Sequence, residues 1–225
     1  MAAEQGLADR LARVDGEIAD AARAAGRDPA ALTRIVVTKF HPAELVRELV
    51  SLGVRDVGEN RHQEAAAKAA GLSGLDLNWH FVGQLQSNKA KAVRGYASAV
   101  HSVDRVPLAD ALAGDLPLDV FLELNLTGDL ARGGADVALL EPLAERVLST
   151  PGLVLRGVMA VAPLDEEPRA AFERVRRASE ALTRLAPDAT AISAGMSGDF
   201  REAILEGATH LRIGTAITGK RPPHG

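Results

Sequence analysis

Ile35-Val36-Val37-Thr38-Lys39-Phe40-His41-Pro42 is the stretch from which the fold is read. A β-branched run closed by a proline and followed by a helical pattern predicts a strand buried on both faces. Such a strand belongs to a parallel sheet covered by helices. Lys39 then projects from its C-terminal end, where proteins of the α/β class place their chemistry. A lysine held there can lose its proton and form a Schiff base with a carbonyl. Taken alone, a strand-end lysine is more simply a side chain that snorkels into water. The other lysines give the contrast. Lys68 falls in an alanine-rich helix, Lys89 and Lys91 open another helix, and Lys220 lies in the terminal Gly-Lys-Arg-Pro-Pro. Those four are expected to be solvated charges, and only Lys39 is attached to a core strand.

Outward from this stretch the pattern repeats. Further strands are expected at residues 54–57, 79–82, 98–101, 119–124, 154–159, 190–193 and 210–213, separated by helical segments. Eight strands alternating with helices in this length predict a (β/α)8 TIM barrel, taken as a single domain over residues 1–225. An open doubly wound sheet is disfavoured because no G-x-G-x-x-G turn follows the first strand. Leu7, Leu11, Val14 and Ile18 mark an extra N-terminal helix. Little chain follows the eighth strand, so that helix is expected to cover the closing side of the barrel.

Composition narrows the function. A chain of 225 residues with 47% hydrophobic and 25% charged residues can bury a full core. A net charge of -4 argues against nucleic acid as the main partner. The absence of cysteine excludes disulfides and thiolate catalysis and fits a reducing compartment. Neither a signal peptide nor a membrane-spanning stretch is read, and the expected location is cytoplasmic.

In a barrel the loops after strands seven and eight often hold a phosphate. Here they carry Ser197-Gly198-Asp199 and Gly214-Thr215, small residues that allow close backbone approach. Ser197 also reads as the N-cap of the following helix, and Gly214 as a tight turn. Arg212 lies within strand eight, and a buried arginine needs a partner. Glu123 on strand five is the simple partner and a ligand nitrogen the sharper one. Lysine for an aldehyde, small residues for a phosphate and arginine for a ring nitrogen together describe pyridoxal 5′-phosphate.

Val37-Thr38-Lys39, Gly58-Glu59-Asn60, the run from Trp79 to Lys89 (Trp-His-Phe-Val-Gly-Gln-Leu-Gln-Ser-Asn-Lys), Gly195-Met196-Ser197 and the run from Arg212 to Ile217 occur in order along the chain. In these motifs the chain resembles the pyridoxal phosphate homeostasis proteins. That resemblance implies the barrel of the alanine racemase N-terminal domain without the racemase's second domain. It implies Lys39 as the aldimine lysine and Arg212 as partner of the pyridine nitrogen. It also implies Ser197, Gly214 and Thr215 around the phosphate, with Met196 beside them and Asn60 near the ring. The family is associated with vitamin B6 balance and has no established turnover. Accordingly no catalytic residue is assigned, apo forms of pyridoxal phosphate enzymes are the expected recipients, and a monomer is expected. The chain departs from the pattern at Arg61-His62 and at Leu130-Ala131-Arg132-Gly133-Gly134, which puts an accessory lysine at the latter loop in doubt.

Three classes of function share these residues. A non-catalytic pyridoxal phosphate binder uses all of them. An amino-acid racemase would need a second acid/base on the opposite face. The single tyrosine, Tyr96, precedes strand four and is expected on the side away from the chemistry. A cofactor-free Schiff-base aldolase would leave Arg212 unexplained. His80, His101 and Glu123 fall on strands three, four and five. Without H-x-H or H-E-x-x-H spacing they are read as hydrogen-bonded core and not as metal ligands. Gln86-Ser87-Asn88 is read as a helix N-cap.

Overall fold

A computed structural model describes residues 6–129 and 132–220. Its eight strands are β1 (Thr33–Val37), β2 (Asp56–Glu59), β3 (Asn78–Phe81), β4 (Ala99–Val103), β5 (Leu118–Leu124), β6 (Leu153–Ala160), β7 (Ala191–Ser193) and β8 (His210–Ile213). All neighbours are parallel, and they close in sequence order into a barrel. The closing pair is β1 with β8, Thr33 opposite His210 and Val36 opposite Ile213. That pairing removes the open-sheet alternative. Strand β8 has the expected bounds. Strand β1 begins earlier and ends at Val37, so Thr38 and Lys39 lie just past its last paired residue.

Helices fill the connections: α1 (Leu7–Ala24) before β1, then α2 (Ala43–Ser51), α3 (His62–Gly71), α4 (Ala90–Arg94), α5 (Val106–Ala111), α6 (Leu140–Ser149), α7 (Pro168–Leu185), α8 (Phe200–Leu205) and α9 (Thr215–Thr218). In α1 the buried residues Leu7, Leu11, Val14, Ile18 and Ala22 recur at helical spacing and form one apolar stripe. The stripe packs on α8 and α9, so the N-terminal helix does cover the closing side. Pro168 occupies the first turn of α7, where its missing N–H is harmless, and the Glu167 side chain accepts from Arg169 N. Among the described residues no helix is long and apolar enough to cross a membrane. Leu130 and Ala131, in the departing loop after β5, and the tail beyond Lys220 lie outside the described residues.

Alternate residues of each strand serve two different cores. Val36, Val57, Trp79, Phe81, Val100, Val120, Leu122, Val158, Ile192 and Leu211 face outward into the large apolar layer beneath the helices. Each full burial of such a side chain contributes about 1.5–3 kcal/mol. The inward apolar residues are fewer, Ile35 and Val37 on β1 and a small cluster of Ala99, Phe121 and Met159. Buried His80, His101, Ser193 and Arg212 share the barrel interior with them. Stability thus comes mainly from the outer layer, which frees the barrel axis to be polar.

Candidate functional site

A cavity of about 450 Å³ opens at the C-terminal end of the barrel. Its lining includes every residue that the sequence reading assigns to the cofactor: Lys39, Asn60, Met196, Ser197, Arg212, Gly214 and Thr215. Val37, Phe40, His41 and Val82 are further lining residues that sequence reading did not identify.

Lys39 reaches the cavity by strand parity. Gly58 on the adjacent β2 lies beside Ile35 and Val37 on the inner face of the barrel, where a Cβ on Gly58 would stand 3.0 Å from Ile35 Cγ2 and 3.3 Å from Val37 Cγ2. Lys39 continues that inward series, and Thr38 turns outward. The next residue, Phe40, has a φ of 68°, a left-handed conformation uncommon for a non-glycine residue. Its amide donates to Glu64 Oε1 at 2.5 Å. The reversal at Phe40 ends the strand path and leaves Lys39 half-buried at the rim, its Nζ 5.9 Å from the Phe40 ring centroid.

The turn is clamped from behind by Lys68, and here the expectation of a solvated charge is corrected. Lys68 is 6% exposed. Its Nζ donates to Thr38 O at 2.8 Å, Glu59 Oε1 at 2.6 Å and Glu64 Oε1 at 2.8 Å. Thr38 Oγ1 donates to the same Glu59 oxygen at 2.6 Å. Burial pushes the Glu59 carboxyl up, and the bonds from Lys68 and Thr38 pull against it. The buried face of α3 consists of Ala65 and Lys68, so no hydrophobic stripe marked which way the lysine pointed.

Arg212 is buried on β8 and faces inward. Its Nη1 donates to Ser193 Oγ at 2.7 Å and its Nη2 to Ala160 O at 2.9 Å. Those bonds leave further guanidinium N–H groups without a protein acceptor among the described residues. Glu123, the expected simple partner, is not within ion-pair distance. It is partly buried, its Oε2 has no hydrogen-bond partner, and burial together with Asp104 pushes its carboxyl up to about 7 despite Arg212. Burial lowers Arg212 itself to about 10, with Glu123 and Asp199 opposing. Asn60 adds a second unmet group at the mouth, a buried Oδ1 with no partner. Gly83 packs directly behind it: a Cβ there would meet Asn60 O at 2.3 Å.

The two loops expected around a phosphate do meet. Ala216 N donates to Ser197 Oγ at 3.3 Å, tying the loop after β7 to that after β8. Ser197 is not an N-cap; Asp199 stands at the N-cap position of α8, and its Oδ1 accepts from Met196 N at 2.5 Å. Gly195, at a φ of 90°, lets this loop lie against α8, since a Cβ would come within 2.8 Å of Ala203 Cβ. The Gln86-Ser87-Asn88 expectation also changes. Ser87–Lys89 form a single 3-10 turn whose N-cap, Gln86, makes no side-chain capping bond, and α4 begins only at Ala90. Tyr96 does not line the mouth. It is half-buried, its ring stacks on His62 at the start of α3 with centroids 6.0 Å apart, and burial raises its hydroxyl above the ordinary tyrosine value. It therefore reaches toward the C-terminal end of the helix layer, not toward the far side expected for it. His80 and His101 are hydrogen-bonded core residues, as read.

Comparison with known proteins agrees with the fold. Residues 18–222 match the model of the alanine racemase N-terminal domain family. The chain is 44% identical over 220 residues to the pyridoxal phosphate homeostasis protein of Pseudomonas aeruginosa, covering 96% of each. This chain belongs to the pyridoxal phosphate homeostasis protein family. Among solved structures, PipY of Synechococcus elongatus PCC7942, described with PLP bound, superposes with a TM-score of 0.83 at 35% identity, covering 95% of this chain and all of the other. Alanine racemase of Corynebacterium glutamicum superposes at 0.69 and 16% identity, over 96% of this chain and 62% of the racemase, a likeness of fold alone.

Proposed function

We propose that the barrel mouth binds pyridoxal 5′-phosphate and that the protein stores and hands on this cofactor without turning over a substrate. The observation that carries the reading is the convergence of a half-buried lysine, a buried arginine with spare donors, and two small-residue loops on one cavity. A cavity of about 450 Å³ is of the size that small-ligand pockets have. The unmet Asn60 Oδ1 and the unpaired Arg212 cation are interior polar groups that a polar ligand would satisfy. When bound, the cofactor supplies an aldehyde that a primary amine can hold covalently with loss of water.

In this reading Lys39 Nζ is that amine, Arg212 donates to the ring nitrogen, and Asn60 lies beside the ring. Met196, Ser197, Gly214 and Thr215 surround the phosphate. An arginine donates and stays protonated, so it leaves a ring nitrogen without a proton. A ring in that state is a weak electron sink, which suits storage better than carbanion chemistry. No tyrosine lines the cavity to return a proton on the face opposite Lys39. We take the intracellular pyridoxal phosphate enzymes in their apo forms as recipients, with the protein acting as a cytoplasmic monomer built of one domain.

Titrating the purified protein with pyridoxal 5′-phosphate and with pyridoxal tests the site. The charged end should supply most of the noncovalent affinity, so pyridoxal should bind on the order of 100-fold more weakly. Comparable affinities would overturn the assignment.

A further inference from the structure

A continuous line of side-chain hydrogen bonds crosses the barrel interior from mouth to floor. Arg212 Nη1 donates to Ser193 Oγ at 2.7 Å. Ser193 Oγ lies 2.8 Å from His101 Nδ1, His101 Nε2 lies 2.9 Å from His80 Nδ1, and His80 Nε2 lies 3.0 Å from Asp56 Oδ1. Arg212, Ser193, His101 and His80 are all buried. Asp56, the first residue of β2, has a side chain 27% exposed and borders a separate cavity with Asp15, Arg34 and Arg55.

The two ends fix the direction of the line. A guanidinium only donates and a carboxylate only accepts. Ser193 Oγ accepts from Arg212, so its single proton is free to point at His101 Nδ1. His101 then carries its proton on Nε2 and donates to His80 Nδ1. His80 in turn carries its proton on Nε2 and donates to Asp56. Each donor has one acceptor along the path and no contact is left with two protons or none.

We propose that this line is a directional relay. Asp56 on the floor sets the tautomers of His80 and His101, and through them the orientation of Ser193, so that Arg212 is held as a fixed donor in the mouth. Asp56, His80, His101 and Ser193 are thus positioning residues for Arg212. Their effect on a ligand rests on the proposed occupancy of the mouth; the tautomers do not.

The surroundings fit a neutral His101 between charged ends. His101 is enclosed by Phe121, whose ring stacks on it at 4.2 Å, and faces His80, His210 and Arg212. Burial first, then those three groups, lower His101 well below the ordinary imidazole value. Burial also takes the adjacent His210 down to about 4. Burial pushes the Asp56 carboxyl up, but hydrogen bonds from His80 and Asn78 outweigh it and leave the carboxyl below its ordinary value. The relay thereby links the buried cation to a carboxylate it does not touch, a polarisation that low-dielectric surroundings strengthen.

The test uses the whole chain labelled with 15N at histidine and free of ligand. Nitrogen–proton correlation spectra recorded above the range in which a free imidazole titrates should show His80 and His101 each with its proton on Nε2. A proton on Nδ1 of either ring under those conditions would overturn the relay. In Asp56→Ala the His101 signals should shift toward mixed tautomers although the two residues are not in contact; unchanged His101 signals would also overturn it. If Asp56→Ala does not fold, the wild-type spectra still decide. Ser193→Ala, which removes the acceptor of Arg212, should weaken pyridoxal 5′-phosphate about tenfold. Unchanged affinity in a wild-type background that binds the cofactor would contradict the positioning role, whereas no binding by wild type would contradict only the occupant of the mouth.

Discussion

Lys68 and Arg212 are both buried cations near the C-terminal end of the barrel, and their surroundings differ in kind. Lys68 sits in the layer between barrel and helix, with two carboxylates and a carbonyl consuming the three protons of its ammonium. Arg212 sits inside the barrel with a hydroxyl and a carbonyl as its protein acceptors. The first site is electrostatically closed and fixes a turn. The second keeps donors in hand on the wall of a cavity. Burial alone therefore does not separate a structural cation from a ligand-binding one; the state of its hydrogen-bond valence does.

Lys68→Met should have the largest effect on stability. It strands the Glu59 carboxyl in the interior, already a disfavoured place for its charge, and should lower the unfolding free energy by about 3–5 kcal/mol in urea titrations. Replacing Glu59 as well, in Lys68→Met with Glu59→Gln, should recover much of the loss. A single variant as stable as wild type would mean that the clamp is not closed.

Glu123 is the carboxylate that could have made Arg212 resemble Lys68. Its carboxyl is raised from 4.5 to about 7. The native state then binds more protons than the unfolded chain between those values. This group's stabilisation is full below its unfolded value and is lost as pH rises through about 7. A shift of that size corresponds to up to ~3 kcal/mol. Glu123→Gln should accordingly be more stable than wild type above neutrality, with a wild-type-minus-variant difference that vanishes at acid pH. Subtraction removes the opposite contribution of His210, which weakens the fold as pH falls toward about 4. A pH-independent difference would show that Glu123 pairs with Arg212 after all.

Arg212→Met should have the smallest effect on folding. It leaves the Ala160 carbonyl and the Ser193 hydroxyl each without one partner but strands no charge, a loss of about 1 kcal/mol in urea titrations. Cofactor affinity should nevertheless fall. A folding loss as large as that of Lys68→Met would erase the distinction between the two cations.

The barrel was readable from sequence because its outer layer is apolar and regular. The β-branched run at Ile35 and the alternating strands after it have a period that any window detects, and β8 has the expected bounds. The residues at the mouth were readable because strand ends point there by topology. What escaped was decided by side chains without a periodic signal. Lys68 lies among alanines whose small side chains do not distinguish inside from outside. Ser197 carries a cap reading beside its phosphate reading, and only the structure shows that Asp199, closer to the helix, takes the cap position. Glu123 has the parity to face Arg212, and only the three-dimensional distance shows that they do not pair. The role of Asp56 could not be inferred, because its importance comes from two histidines on other strands.

Borohydride reduction of the cofactor-loaded protein, followed by mass mapping of the modified peptide, tests the central claim most directly. It should place the reduced pyridoxyl group on Lys39, with Lys68 unmodified although it stands immediately behind the same turn, and Lys39→Ala should show no adduct at that peptide. A pyridoxyl group on Lys68, or an undiminished adduct in Lys39→Ala, would contradict the account.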